Sequence, residues 1–274
     1  MPDRAHSTDH AYFAVDGISL RFGGLQVLDD VGFDVNQNEI VGLIGPNGAG
    51  KTTLFDVISG FHTPTHGHVW LRDKDLLPER PFRRAWLGLG RTFQTARLFQ
   101  NETVFNIVRT ACHHRMHGGA VRSLVAGIVG TRRSIGVERE AAGHATRLID
   151  QLGLGDYATK MASELSYGTL RLTELATILA MEPELVLLDE PSSGIAQRET
   201  EALGPLLLDL RKELGATFLL IEHDMPLIMG ISDRIVALAA GRVLAEGTPA
   251  EIQGNDEVVE AYLGGTIDLE SVVA

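Results

Sequence analysis

The sequence has little cysteine, little basic charge and no long apolar run, and each shortage excludes a class of protein. Its single cysteine, Cys112, excludes an internal disulfide framework and is typical of a reducing compartment. Lys and Arg number 24 against 36 Asp and Glu, so the formal net charge is −12. A nucleic-acid binder usually presents a basic surface, so we expect no nucleic acid among the partners of this chain.

The distribution of apolar and charged residues also predicts neither a membrane-spanning segment nor a secretory signal. No stretch approaches the roughly 18 uncharged apolar residues that a spanning helix needs. The most apolar region, 217–240, is interrupted by the ionisable residues Glu222, His223, Asp224, Asp233 and Arg234. Residues 1–10 are polar, with no apolar run behind a basic start, and they predict a flexible tail rather than a signal. We therefore expect a cytoplasmic protein that, at a membrane, works from outside the bilayer.

The apolar pattern predicts an α/β fold with a mostly parallel sheet. Continuous apolar runs, typical of parallel strands buried on both faces, lie at 39–44, 185–188 and 217–221. Shorter apolar stretches with turn residues between them predict further strands at 13–35, 68–71, 234–239 and 242–245. Residues 72–75 are expected to form a turn. The strands near the start of the chain are expected to form a small antiparallel β part.

Helical periodicity is clearest in the middle of the chain. Helices are predicted at 51–59, from 104 after a Thr103 cap, at 145–152, at 168–181 and at 199–214. Gly204 and Pro205 are expected to break or kink the last of these helices. The residues from Thr248 to Glu251 form a capping box for one more. We interpret 96–170 as a helical insertion in the α/β core.

A glycine-rich loop between a predicted strand and a predicted helix is the strongest chemical signal. It reads Gly45, Pro46, Asn47, Gly48, Ala49, Gly50, Lys51, Thr52, Thr53 and matches G-x-x-x-x-G-K-[ST]. Glycines let successive backbone N–H groups converge on an anion, and the helix start adds positive potential. Lys51 is expected to reach the β- and γ-phosphates of a nucleotide. Thr52 is expected to ligate Mg²⁺, and Thr53 is placed to donate to the α-phosphate.

Two acidic residues end the buried strand predicted at 185–188. Asp189 and Glu190 lie at its carboxyl end, where ligands bind in open α/β sheets. Asp189 suits Mg²⁺, and Glu190 can take a proton from an attacking water. We call the glycine-rich loop at 45–53 the phosphate loop. Together with this loop, the acidic pair Asp189 and Glu190 predicts a nucleoside triphosphatase.

Four further features stand around these two motifs. They are Phe22, Gln94 at the end of Arg91-Thr92-Phe93-Gln94, the segment Leu165-Ser166-Tyr167-Gly168-Thr169, and His223 after the run 217–221. The whole set, in this order, resembles the ATP-binding subunits of ABC transporters. The resemblance implies a P-loop NTPase fold of the ABC type, as a single domain over 11–265. It also implies a helical subdomain at about 96–170, and we interpret 266–274 as a C-terminal tail.

The resemblance implies a role for each motif in binding ATP and Mg²⁺. The phosphate loop would be Walker A, and Leu185–Glu190 would be Walker B. Gln94 would contact Mg²⁺ or the lytic water, and it would join the core to the helical subdomain. His223 would hold the γ-phosphate and orient that water, while Phe22 would stack on adenine. The catalytic residues would then be Glu190, His223, Gln94 and Lys51, with Thr52, Gln94 and Asp189 at the metal.

Ser166 and Gly168 belong to the segment that matches the signature motif of the family. A serine hydroxyl and backbone N–H groups at a helix start suit a phosphate. In the family they serve the nucleotide of the opposite subunit, so a head-to-tail dimer completes two sites. The implied partners are integral membrane permease subunits, a second ATP-binding subunit of the same or a different kind, and indirectly a solute-binding protein. The implied location is the cytoplasmic face of the cell membrane.

Three residues depart from the family pattern. Thr169 stands where the signature usually has glutamine, Thr177 where an arginine is usual, and Ala196 where aspartate or asparagine is common. We expect slower hydrolysis, or a working dimer with a different subunit, rather than loss of activity. The reason is that Lys51 and the acidic pair are intact.

Smaller motifs narrow the resemblance to importer ATPases of branched-chain amino acids, and among them to LivG-type subunits. They are Arg97-Leu98-Phe99, Thr103-Val104 leading into Asn106, Glu222-His223-Asp224-Met225, Gly230-Ile231-Ser232-Asp233-Arg234 and Ala261-Tyr262-Leu263-Gly264. Urea and short-amide importer ATPases share much of this pattern, so that alternative stays open. A soluble ABC-type ATPase of repair or translation is disfavoured by the single phosphate loop, the short insertion and the acidic charge.

Overall fold

The computed structural model describes residues 12–93, 98–116, 132–195 and 197–263. Its strands are β1 (Phe13–Phe22), β2 (Leu25–Val35), β3 (Ile40–Ile44), β4 (His66–Leu71), β5 (Lys74–Asp75), β6 (Leu89–Arg91), β7 (Leu185–Asp189), β8 (Thr217–Ile221), β9 (Arg234–Ala239) and β10 (Arg242–Gly247). Its α-helices are α1 (Lys51–Ser59), α2 (Pro81–Trp86), α3 (Val104–Met116), α4 (Arg132–Gln151), α5 (Tyr167–Leu179), α6 (Gln197–Leu214), α7 (Met225–Ile231), α8 (Pro249–Gln253) and α9 (Asp256–Leu263).

The strands form two sheets, as the apolar pattern predicts. The larger sheet has the order β10-β9-β3-β8-β7-β6. Its strands are parallel except for β10, which pairs with β9 in the antiparallel sense. The smaller sheet, β2-β1-β4-β5, is antiparallel throughout. The predicted fold class, a mostly parallel sheet with a small antiparallel β part, is confirmed.

Two hydrophobic cores lie on the two faces of the larger sheet. Successive residues of β7 alternate between them: Val186 and Leu188 face one core, while Leu185 and Leu187 face the other. The first core contains α5 and α6, and the second contains the small sheet and α1. The continuous apolar runs arise from this double burial, because a strand covered on both faces has no solvent side.

The helices α3, α4 and α5 pack together between β6 and β7 in the chain. Thr103 caps α3, since its hydroxyl accepts the Asn106 N–H at 3.2 Å, as predicted. Buried residues of α3 and α4, including Val108 and Leu148, belong to the same core as one face of the large sheet. This helical layer is therefore packed against the α/β part.

Two local predictions need correction. Residues 72–75 are not all turn: Lys74 and Asp75 pair with β4, and only Arg72, with φ +52°, and Asp73 remain to turn the chain. The chain does not break at Gly204 and Pro205, because α6 is one helix from 197 to 214. The other expectation, a kink at these residues, stays a prediction. Burial of Leu203, Leu207 and Leu210 on one face of the helix outweighs the hydrogen bond that a proline removes.

Within the described ranges, no helix combines the length and the apolar character needed to cross a bilayer.

Candidate functional site

The glycine-rich loop runs from the carboxyl end of β3 to the first residue of α1. Gly45 has φ +152°, and a Cβ added there would lie 2.1 Å from the Leu238 carbonyl oxygen. Gly50, the residue before the helix, has φ +103°, and its added Cβ would lie 2.8 Å from a Leu28 methyl. Both glycines are needed because the loop is wedged against its neighbours in a backbone conformation that other residues avoid.

We expect Gly45→Ala to lower the free energy of unfolding by about 2–3 kcal/mol, because the new methyl must displace backbone rather than a flexible side chain. Gly48→Ala is the matched control, since Gly48 also has positive φ (+82°) but an added Cβ there meets nothing within 4 Å. Its expected cost is about 1 kcal/mol. Chemical denaturation measures both, and equal losses would show that the contact with Leu238 is unimportant.

Lys51 is the first residue of α1, and its amine contacts the glycine-rich loop. Its Nζ donates to the carbonyl oxygens of Gly45 at 2.5 Å and Pro46 at 3.2 Å. Burial lowers the pKa of the Lys51 amine, and the carboxylates of Glu190 and Asp189 oppose that shift. The phosphate loop and the acidic pair are therefore close enough to interact electrostatically, as the motif analysis predicts.

The start of α1 is suited to an anion. The residue at its N-cap is Gly50, which has no side chain to accept the N–H groups of the first turn. Lys51 is buried, while the following Thr52 is exposed at the helix start. First-turn amides that no cap side chain bonds, a lysine amine and an exposed hydroxyl together form a site suited to a polyphosphate.

The acidic pair follows β7 directly. Asp189 is only 3% exposed, and burial raises the pKa of its carboxyl while Arg91 opposes the rise. Glu190 is less buried and has φ +49°, an unusual left-handed conformation for a residue other than glycine. Its Oε1 lies 3.1 Å from Nε2 of His223, which follows β8. The structure thus brings Lys51, the acidic pair and His223 into one site at the carboxyl ends of β3, β7 and β8.

Arg91 forms an ion pair with Asp189, and the motifs gave it no role. Its Nη2 lies 3.2 Å from Asp189 Oδ2, and its Nη1 lies 2.7 Å from Asp56 Oδ1. The same Nη1 donates to Ser59 Oγ at 3.0 Å. The guanidinium also lies over the rings of Phe55, Phe61 and Phe93. Arg91 therefore compensates two carboxylates at the edge of the site.

The oxygen donors at this site are of the kind that Mg²⁺ binds. Thr52 contributes a hydroxyl and Asp189 a carboxylate, and hard oxygen ligands suit Mg²⁺. One oxygen of Asp189 already accepts from Arg91. Gln94, the other predicted ligand, lies outside the described residues.

The signature segment forms the start of α5. Ser166 is the N-cap residue, and its Oγ accepts the Thr169 N–H at 3.2 Å. The Thr169 hydroxyl lies 2.8 Å from the same Oγ, so threonine at this position contacts the signature serine directly. Ser166 is exposed and Gly168 buried. The side-chain hydrogen bonds of Ser166 to described residues stay within the first turn of α5.

Two further residues of α5 hold the segment that leads to Gln94. The Phe93 N–H donates to Glu174 Oε1 at 3.2 Å, and Arg171 Nη1 donates to the Phe93 carbonyl oxygen. Arg171 and Glu174 also pair with each other. Burial raises the pKa of Glu174, against the opposing effects of the Phe93 N–H and Arg171. The backbone next to Gln94 is thus fixed to the signature helix.

Phe22 is the residue that the resemblance assigns to adenine, and Thr177 and Ala196 are two of the three departures from the family pattern. Phe22 ends β1, is 47% exposed, and meets His62 edge-on with ring centroids 5.1 Å apart. Thr177 bonds within α5 to the Thr173 carbonyl oxygen at 2.7 Å. Ala196 lies outside the described residues.

Sequence reasoning missed Arg91, Glu174 and Glu222, although Arg91 and Glu222 stand inside motifs that it quoted. All three are buried or nearly buried charged residues. Arg91 pairs with Asp189, Glu222 precedes His223, and Glu174 accepts the N–H of Phe93, which precedes Gln94. For Arg91 and Glu222, the sequence signal available was a charged residue inside a quoted motif.

A family model described as ABC transporter matches residues 28–193, and one described as branched-chain amino acid ATP-binding cassette transporter matches residues 242–268. The high-affinity branched-chain amino acid transport ATP-binding protein LivG of Salmonella typhimurium is 43% identical over 253 residues, 92% of this chain and 97% of that protein. The corresponding protein BraF of Pseudomonas aeruginosa is 39% identical over 91% of this chain and 96% of its own length.

Among solved structures, the ADP conformation of an ATP-binding cassette of an ABC transporter superposes with a TM-score of 0.77 at 29% identity. That match covers 93% of this chain and 99% of the other. The chain therefore belongs to the ABC transporter family, as one of its ATP-binding cassettes.

Proposed function

We propose that this chain is the ATP-hydrolysing subunit of an ABC importer for branched-chain amino acids, bound at the cytoplasmic face of the cell membrane. The observation that carries the enzymatic part is the joint placement of Lys51, Asp189, Glu190 and His223 at one sheet edge. The cargo is supported by the names of the LivG and BraF relatives and by the matched C-terminal segment.

In this proposal the loop from Gly45 to Thr53 holds the phosphates of ATP. Lys51 leaves the loop carbonyls for the β- and γ-phosphates, and Phe22 stacks its exposed ring on adenine. Thr52, Asp189 and Gln94 hold Mg²⁺, which when bound neutralises phosphate charge.

Glu190 takes a proton from the attacking water, and His223 orients that water beside the γ-phosphate. Their 3.1 Å contact keeps the two side chains on the same side of the site. The chain therefore contributes mainly positioning and charge, as expected for phosphoryl transfer.

A second ATP-binding subunit completes each site. Ser166 and Gly168 lie at the start of α5, and in the proposed head-to-tail dimer they contact the nucleotide of the partner. We propose one ATPase domain over 11–265, with its helical subdomain at about 96–170 facing integral membrane permease subunits. The solute-binding protein acts only through those permeases.

Hydrolysis by the purified chain tests the enzymatic part. Wild-type protein is expected to release phosphate from ATP only with Mg²⁺, and Lys51→Ala is expected to reduce turnover at least about tenfold because the phosphates lose their cation. Lys74→Ala, which removes an exposed lysine paired with Glu79 on the small sheet, is the matched control and should retain activity. Equal turnover in Lys51→Ala would contradict the assigned site.

Transport by the native complex tests the cargo. Tagged chain is purified from native membranes with its partners, and the complex is reconstituted in liposomes with its solute-binding protein. ATP-driven uptake of leucine supports the proposal. Uptake of urea without leucine, or recovery of ribosomes in place of a membrane protein, would contradict it.

A further inference from the structure

Glu222 is a buried carboxylate, 2% exposed, directly before His223. Its Oε1 accepts the Ser192 N–H at 2.7 Å, and its Oε2 accepts the Ser192 hydroxyl at 2.8 Å. Oε2 also accepts the backbone N–H groups of His223 at 3.0 Å and Asp224 at 3.4 Å. All four donors are uncharged. Together they join the segment after β7 to the segment after β8.

The segment after β7 contains the left-handed residue Glu190. A φ of +49° at glutamate is a strained backbone conformation, and it persists only where surrounding contacts impose it. The Glu190 N–H donates to the Ile221 carbonyl oxygen at 2.9 Å, and its own carbonyl accepts the Ser193 N–H at 3.0 Å. Ser192, between these residues, is held by Glu222. Residues 221 and 222 therefore hold both ends of the strained turn.

The same carboxylate holds the backbone of His223, whose ring contacts Glu190. We propose that Glu222 is a positioning residue that fixes the turn of Glu190 and the turn of His223 relative to each other. A carboxylate suits this role because it only accepts, whereas an amide would direct an N–H group at one of the donors. The expected effect on kcat rests on the proposed function, whereas the role of Glu222 in fixing the two turns does not.

Glu222→Gln tests the proposal, with Glu39→Gln as the matched control. Glu39 is also a buried glutamate, and it accepts the Asn36 N–H at 2.6 Å, but it lies at the other end of the sheet. We expect Glu222→Gln to lower kcat about 10- to 100-fold, since small misplacement of reacting groups has effects of that size. The ATP KM and the affinity for a fluorescent ATP analogue should change less than about twofold. Glu39→Gln should leave kcat within about twofold.

Amide hydrogen exchange provides the readout that does not depend on activity. In the nucleotide-free chain, Glu222→Gln should speed exchange at the amides of Glu190, Ser192 and Ser193 and of residues 223–224, while Glu39→Gln should not. If Glu222→Gln fails to fold, Ser192→Ala removes only the hydroxyl donor and should give a smaller effect of the same pattern. Unchanged exchange in these segments, or a kcat loss no larger than in Glu39→Gln, would overturn the proposal. Absence of turnover in the isolated wild-type chain would contradict hydrolysis by a dimer of this chain alone, whereas the exchange comparison would still decide the role of Glu222.

Discussion

A Glu190→Gln chain is expected to bind ATP with near wild-type affinity and to hydrolyse it at least about a hundredfold more slowly. The amide has the shape of the carboxylate and can keep the contact with His223, but it cannot take a proton from water. The backbone of residue 190 is held by the Ile221 carbonyl oxygen, so the side chain should stay in place. Phosphate release measures turnover, and a fluorescent ATP analogue measures binding.

The same variant should accumulate an ATP-bound dimer, because closure needs binding and reopening needs hydrolysis in the proposed cycle. Size-exclusion chromatography with ATP detects this species. Glu184→Gln is the control: Glu184 lies just before the same strand, at its amino end, where it pairs with Arg72 at 2.9 Å. That change should leave turnover intact. Wild-type turnover in Glu190→Gln would remove Glu190 from the role of base.

The parts of the site that the sequence predicts are those built from consecutive residues. The phosphate loop is one segment, and its helix start, its glycines and Lys51 follow from local conformation and from the capping rules. The strand ending in Asp189 was also predictable, because burial on both faces requires an uninterrupted apolar run. Parallel strands then bring their carboxyl ends together, which places Asp189 near the loop.

The contacts that the sequence does not predict join residues far apart in the chain. Arg91 meets Asp189 across 98 positions, and Glu222 meets Ser192 across 30. The apolar periodicity of the sequence does not predict which buried charged residues pair, because pairing depends on the order of the strands in the sheet. The continuous helix through Pro205 has a related cause, because packing of its leucines outweighs the local preference of proline.

Arg91→Gln is expected to lower the free energy of unfolding by about 3–5 kcal/mol at pH 8, because it leaves the carboxylates of Asp189 and Asp56 without their cation. The guanidinium is only 8% exposed and bonds to both. Nucleotide binding should weaken as well, since Asp189 lies in the site. Thermal and chemical denaturation of the purified variant measure the loss.

The loss in Arg91→Gln should shrink as the pH falls, and this distinguishes lost charge compensation from lost packing. Burial already raises the pKa of Asp189, and Arg91 opposes that rise, so its removal raises the pKa further. The folded variant then binds a proton more tightly than the unfolded chain, and its stability falls as the pH rises toward the folded pKa. Between pH 8 and pH 5.5 we therefore expect the deficit to decrease.

Arg84→Gln is the control that makes the pH dependence decisive. Arg84 is buried, and its guanidinium donates to backbone carbonyls, among them those of Val57 at 2.7 Å and Ile58 at 2.6 Å. Its removal leaves unpaired carbonyls and no unpaired carboxylate, so its cost should be nearly the same at both pH values. A deficit in Arg91→Gln that is equally flat would mean that Arg91 stabilises the site through its contacts with the Phe55, Phe61 and Phe93 rings rather than through the charge of Asp189.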